Sequence, residues 1–277
     1  MIFRHYTSKK SLLSRHLNDM MHTMNKSNKL CIGIMLMLLM MGNLFAFQFS
    51  PLEQEFSPSG PNSTKTYTIV NDSNDTIAVE ITALTRDMDV NGKEINQTAA
   101  AYFSIVPSKI LVRPQNSQIV RVQYRGPQSV PTEMAFRLRA EQLEYSQGRV
   151  TTGQSMFNFL YVYTTSLYVT PSRSIPRVVV ESVVPKITSD GRQVMNITVT
   201  NTGTVHQILN GVTIEVIDNS TRQSVLYESG ALGFVNGLNL LAGKTVTVEA
   251  VWPSNFTFPK NLVGAEKSFT AKINYSN

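Results

Sequence analysis

The chain has 277 residues, 42% hydrophobic and 16% charged, with a formal net charge of +6, long enough for two medium-sized domains. Six of its 25 basic residues but only Asp19 of its 19 acidic residues lie in the first 46 positions, so the remainder carries a charge near +1 and no basic patch that would argue for nucleic acid. Cys31, His5, His16 and His22 also fall in that segment; residues 47–277 contain no cysteine and one histidine, His206, which excludes thiol chemistry and zinc sites built from cysteine or histidine.

In chain order, the basic stretch Met24 to Lys29 precedes an apolar run, Leu30 to Leu44, that ends in Phe45-Ala46. This is the pattern of a secretory signal peptide, too short for the ~20 apolar residues of a membrane span. Residues 1–46 are therefore read as a leader with its start at Met24 and cleavage after Ala46. From Phe47 onward, runs rich in Val, Ile, Thr, Tyr and Phe alternate with turn residues. Tyr67–Val70, Ile77–Leu84, Ile110–Val112, Ile119–Tyr124, Met134–Leu143 and Met156–Val169 read as strands, separated by turns such as Asn71-Asp72, Asn91-Gly92 and Gln147-Gly148.

Ser172 to Pro176 has linker chemistry. A second set of predicted strands comes after it: Arg177–Val184, Met195–Thr200, Thr213–Ile217, Ser224–Tyr227, Lys244–Val251 and Ser268–Ile273. The pattern predicts an all-β protein of two immunoglobulin-like sandwiches, 47–171 and 177–277, joined by 172–176. Gly230, Gly233 and Gly237 lack the following Lys and the strand-turn-helix setting of a phosphate loop, and read as a surface loop. Asp87 and Asp89 flank an apparent hairpin turn at Asn91-Gly92, where turn formation accounts for them. His206 is the sole imidazole available as a base and lies at a strand-to-loop transition, so no catalytic site is predicted and no cofactor is expected.

The run from Met156 to Pro171 stands apart because it is apolar at both alternations. Leu160 and Val162 fall on one side, and Phe157, Phe159, Tyr161 and Tyr163 on the other. A strand of an ordinary antiparallel sandwich has one wet face, so a second apolar row calls for a second partner, either a neighbouring layer of the same chain or another molecule.

The segment Val106-Pro107-Ser-Lys-Ile-Leu-Val-Arg-Pro-Gln-Asn-Ser-Gln-Ile-Val-Arg-Val122 resembles the proline-turn-strand signature of periplasmic pilus assembly chaperones of the chaperone/usher pathway. Glu133 to Arg139 is similar to their sixth strand, Leu167 to Pro171 to the end of their seventh, and Asn196 to Val205 to a segment early in their second domain. The resemblance covers almost all of the chain after the leader. It implies two immunoglobulin-like domains at an angle with a cleft between them, a periplasmic location, and pilus or fimbrial subunits and an outer-membrane usher as partners. The seventh strand would complete a subunit's unfinished sandwich, a role that maps onto Phe157, Phe159, Tyr161 and Tyr163. Such β-augmentation takes generic affinity from main-chain hydrogen bonds and register from side chains in pockets. Self-association is one way the free protein could cover that edge.

The resemblance also implies an internal ion pair between Arg121 and Glu133. It departs at the cleft, where the family anchors a subunit carboxylate with an Arg on the first strand and a Lys on the seventh. Here the first strand reads Glu53-Gln54-Glu55-Phe56 and the Lys position falls at Ser166. Thr164, Ser166, Arg137, Arg139 and Arg173 are the candidates for meeting a carboxylate instead. The rival reading is a structural or adhesive surface sandwich such as a pilus subunit. That would call for a spare N-terminal strand and an incomplete single domain, whereas this chain has two apparent domains with its apolar run in mid-chain.

Overall fold

Alternation of apolar and polar residues builds both halves of the molecule. In Met134–Leu143 the side chains of Phe136, Leu138 and Ala140 point inward while Arg137, Arg139 and Glu141 point outward; in Gln193–Asn201, Met195, Ile197 and Val199 are buried. The structure is a computed structural model that describes residues 47–145 and 159–276. The predicted leader 1–46, the turn at Gln147-Gly148 and the residues Met156 to Asn158, Phe157 among them, lie outside the described residues.

The first sandwich contains β1 (Gln48–Ser50), β2 (Glu53–Phe56), β3 (Thr64–Asn71), β4 (Ile77–Thr85), β5 (Asp87–Met88), β6 (Glu94–Ile95), β7 (Phe103–Val106), β8 (Lys109–Val112), β9 (Asn116–Tyr124), β10 (Met134–Leu143) and β11 (Val162–Val169). They form a four-stranded sheet in the order β1-β3-β9-β7 facing a five-stranded sheet in the order β2-β11-β10-β4-β8, with β5 and β6 as a separate hairpin. The core between the sheets centres on Phe103, whose ring meets those of Phe56, Tyr124 and Phe136 edge-on at centroid distances of 5.7, 5.6 and 5.0 Å.

The second sandwich contains β12 (Val178–Ile187), β13 (Gln193–Asn201), β14 (Gln207–Ile208), β15 (Asn210–Asp218), β16 (Ser224–Tyr227), β17 (Asn239–Leu240), β18 (Thr245–Val251) and β19 (Phe269–Ser276). Its sheets run β12-β13-β18 and β16-β15-β19, with a small β14-β17 pair. The predicted surface loop at Gly230, Gly233 and Gly237 is instead a pair of short 3-10 turns, Ser229–Ala231 and Gly233–Val235, that sends Leu232 and Val235 into the core, both fully buried. The glycines supply the tight turns, Gly233 and Gly237 at positive φ, and the apolar residues between them are structural.

Each sandwich carries a buried asparagine where a strand ends. Asn71 Nδ2 donates to the carbonyls of Asp75 and Val112, and its Oδ1 accepts from the Ser73 amide. Asn201 Nδ2 donates to the carbonyls of Val205 and Leu240, and its Oδ1 accepts from the Gly203 amide. Both satisfy main-chain groups that the turn would otherwise leave unpaired.

The two sandwiches belong to one compact unit and, among the described residues, touch at three places. The β5–β6 hairpin reaches over: the Thr247 amide of β18 donates to the Val90 carbonyl at 2.8 Å, Lys244 pairs with Asp87 at 2.5 Å, and Met88 packs against the second core. Beside the linker the Glu133 amide donates to the Thr204 carbonyl at 2.8 Å, and the 172–176 segment is pinned to the same residue, the Thr204 amide donating to the Ile175 carbonyl and the Ile175 amide to Thr204 Oγ1. At Gly203 a Cβ would lie 2.2 Å from the Ile175 carbonyl oxygen, so only glycine permits this approach. Third, His206 stacks on Tyr168 with ring centroids 4.0 Å apart.

Candidate functional site

The site grows from β10 and β11. They pair antiparallel from Met134↔Val169 to Glu141↔Val162, and the Gln142 amide extends the pairing to the Tyr161 carbonyl. On the other side of β11, β2 runs parallel but reaches only Ser166 to Val169, its last bond being the Ser166 amide to the Leu52 carbonyl. Val162 to Thr165 therefore has a single strand neighbour among the described residues. That leaves a length of open main-chain edge, the feature that invites an added strand.

The aromatic row divides. Tyr161 and Tyr163 continue the inward alternation of Thr165, Leu167 and Val169; both are half-buried against the first core, and Phe47 meets Tyr163 edge-on at 4.8 Å. Phe159, on the same alternation but past the end of the sandwich, is 71% exposed. The second apolar row is also explained in part by the chain itself. Leu160 and Val162 are exposed, but Tyr168, further along the same alternation, is fully buried at the junction between the sandwiches. There it receives hydrogen bonds from Arg86 Nη1 at 2.7 Å and Asn239 Nδ2 at 2.8 Å. Regular strand geometry begins at Val162, later than the predicted start at Met156.

Of the predicted carboxylate contacts, the structure brings two together. Ser166 sits opposite Arg137 in the β10–β11 register, and Arg137 Nη1 donates to its Oγ at 2.8 Å. The remaining face of the guanidinium is engaged by Glu94 of β6, through Nε to Oε1 at 2.8 Å and Nη2 to Oε2 at 2.5 Å, while Arg86 Nε donates to the same Oε2 at 3.0 Å. Burial pushes the Glu94 carboxyl up, but Arg137 and Arg86 outweigh it and hold the group below the usual carboxylate range; Arg137 is correspondingly raised. Thr164 is exposed opposite Arg139, which pairs with Glu141 at 3.1 Å on the open surface. Arg173 is exposed in the linker, its main-chain carbonyl accepting from Thr204 Oγ1. These three do not join the Arg137 cluster.

The expected pair of Arg121 and Glu133 does not form. Arg121 lies exposed on β9, in the opposite sheet. Glu133 is buried at the junction, where its Oε1 accepts the His206 amide at 3.0 Å and lies 2.7 Å from His206 Nδ1. The acidic partner is identifiable from its position before β10, but its mate comes from the second sandwich. Sequence reasoning also missed Arg86, Glu94 and Tyr168; nothing in the local pattern distinguishes them from ordinary turn and strand residues. Among the described residues no group of three or more His, Cys, Asp or Glu converges as a metal site, and no helix is long and apolar enough to cross a membrane.

No protein-family model matches the chain, and no curated protein matches it. Solved structures do. One is a chain of the chaperone-tip adhesin complex of CFA/I fimbriae biogenesis, at a TM-score of 0.50 and 14% identity over 76% of this chain and 91% of that one. Another is the Class 5 fimbriae chaperone CfaA, at a TM-score of 0.50 and 13% identity over 84% of this chain and all of that one. The fold is that of the fimbrial chaperones. This fimbrial-chaperone fold runs through both sandwiches, and beside β11 it carries the Arg137–Glu94–Arg86 cluster.

Proposed function

We propose that the chain is a periplasmic assembly chaperone that captures pilus or fimbrial subunits on the open edge of β11 and hands them to an outer-membrane usher. The observation that carries this reading is the length of β11 from Val162 to Thr165 with β10 as its only described neighbour, flanked by the exposed ring of Phe159. An incoming strand would pair with that edge while Phe157, Phe159, Tyr161 and Tyr163 supply apolar contact, each fully covered ring contributing about 1.5–3 kcal/mol before ordering costs. Tyr161 and Tyr163 enter already half-covered, so Phe159 has the most surface to gain. The role is one of binding, without chemistry. The leader supports export, and the two sandwiches are assigned as domains 47–171 and 177–277 joined by 172–176.

Arg137 and Ser166 are assigned the contact to a subunit carboxylate, in place of the two basic anchors that the first strand and Ser166 lack. Co-expression with exported β-rich proteins encoded alongside the chain tests the proposal. Wild type is expected to recover a soluble subunit, and Phe159→Asp or Tyr161→Asp to lose it. Because Phe159 is exposed, its substitution should change the chaperone's own stability by less than about 0.5 kcal/mol, so a loss reports on binding. Unchanged recovery with both variants would sink the mechanism.

A further inference from the structure

Arg86 and Arg137 converge on one carboxylate, and that carboxylate belongs to the same chain. Arg137 presents the two-pronged fork that suits a carboxylate, and Glu94 fills it through Nε and Nη2 while Nη1 is spent on Ser166. Arg86 is likewise divided between Glu94 and the Tyr168 hydroxyl. Glu53 adds a further negative charge acting on Arg137. In the free protein the cations beside β11 are thus already satisfied. Yet Glu94 remains within reach of solvent: its side chain is 29% exposed, and it sits on the two-residue strand β6 of a hairpin outside both sheets of the sandwich.

We infer that Glu94 is an internal stand-in for a peptide carboxylate, occupying the Arg137 fork and yielding it only to a chain terminus that also pairs with the β11 edge. The inference rests on the strand-capture reading and deepens it. Anchoring becomes an exchange of one carboxylate for another, so the charged contact adds little net affinity alone and acts as a check on register. A carboxylate arriving without a strand cannot outcompete a tethered rival. A strand whose terminus falls elsewhere leaves Glu94 in place.

The test titrates wild type and Glu94→Gln with the peptide acetyl-Val-Thr-Val-Thr-Phe bearing a free C-terminal carboxylate, and with its C-terminal amide. The side-chain Nε–H resonances of Arg137 and Arg86 are followed by NMR. The expected result is that Glu94→Gln binds the carboxylate peptide about tenfold more tightly than wild type, the size of one charge-assisted contact, with no gain for the amide. Equal affinity, or an equal gain for the amide, overturns the stand-in role and makes Glu94 a purely structural partner. Should Glu94→Gln fail to fold, Glu94→Asp keeps the charge but shortens its reach by one methylene, and the same comparison applies. The two readings fail separately: strand capture falls if Phe159→Asp and Tyr161→Asp both leave subunit recovery intact, whereas the stand-in falls on the peptide affinities.

Discussion

Strands β11 and β18 each have an outer edge, and the chain treats the two differently. Along β18 the hairpin tip closes in: the Val90 carbonyl accepts the Thr247 amide, and Asp87 pairs with Lys244 just before the strand begins. Along β11 the covering strand β2 stops at Ser166, and Val162 to Thr165 keeps one described neighbour. Unpaired edges invite aggregation and are normally blunted. That one is guarded by an excursion from the other sandwich while the second has no cover among the described residues argues that the open edge is put to use. The same hairpin carries Glu94, so a single excursion serves both the guarded edge and the cluster beside the open one.

The contrast within β11 gives the largest effect. Leu167 is fully buried in the first core, and Leu167→Ala should cost about 2–5 kcal/mol in chemical denaturation. Phe159→Asp, on the same alternation, should leave the denaturation midpoint nearly unmoved. Similar losses from both would mean that Phe159 belongs to the core and the edge is not open. Next come the paired corners. Asn71→Ala and Asn201→Ala should each cost about 1–3 kcal/mol, because buried main-chain carbonyls lose their donor. Hydrogen exchange should accelerate first at the Ser73 amide in one variant and at the Gly203 amide in the other; a spread to both sandwiches in either would show that the corners are not equivalent local devices.

The smallest effect concerns the guard on β18. Asp87→Asn should cost less than about 1 kcal/mol, since the pair with Lys244 is largely exposed. Burial nudges the Asp87 carboxyl up, but Lys244 and the Met88 amide prevail and lower it from 3.8. The contribution is therefore present above that value and lost as pH falls through the lower folded one. Thermal melts of wild type and variant should differ near neutrality and converge in acid. A gap that persists in acid would remove Lys244–Asp87 from the account of the edge.

Much of this architecture is legible from alternation. The strand predicted over Ile77–Leu84 is observed as Ile77–Thr85, and Ser224–Tyr227 is observed as predicted, because inward Val, Ile and Tyr residues leave a period of two in the sequence. Tyr67–Val70 extends back to Thr64, since Thr64 to Thr66 pair with β9 through main-chain groups that leave no side-chain signature. The Asp87–Asn91 turn is equally legible, the Asp89 carboxylate accepting the Asn91 and Lys93 amides. That its tip crosses to another sandwich is not. Turn chemistry is local, but a carbonyl such as that of Val90 can pair with any amide brought near it. The site divides the same way. Arg137 and Ser166 are picked out by position in a strand, whereas Glu94, Arg86 and the true mate of Glu133 depend on which distant elements the fold brings together.

The turn 202–204 of the second sandwich holds both halves at the joint: the Thr204 carbonyl accepts the Glu133 amide of the first sandwich, while the amides of Thr204, Thr202 and Gly203 hold Ile175 and Arg177, with no room at Gly203 for even a methyl group. Such a joint behaves as a splice and not as a tether. Load applied to one half is passed to the other, so a strand docked along β11 would be felt in the far half as by the other arm of one lever.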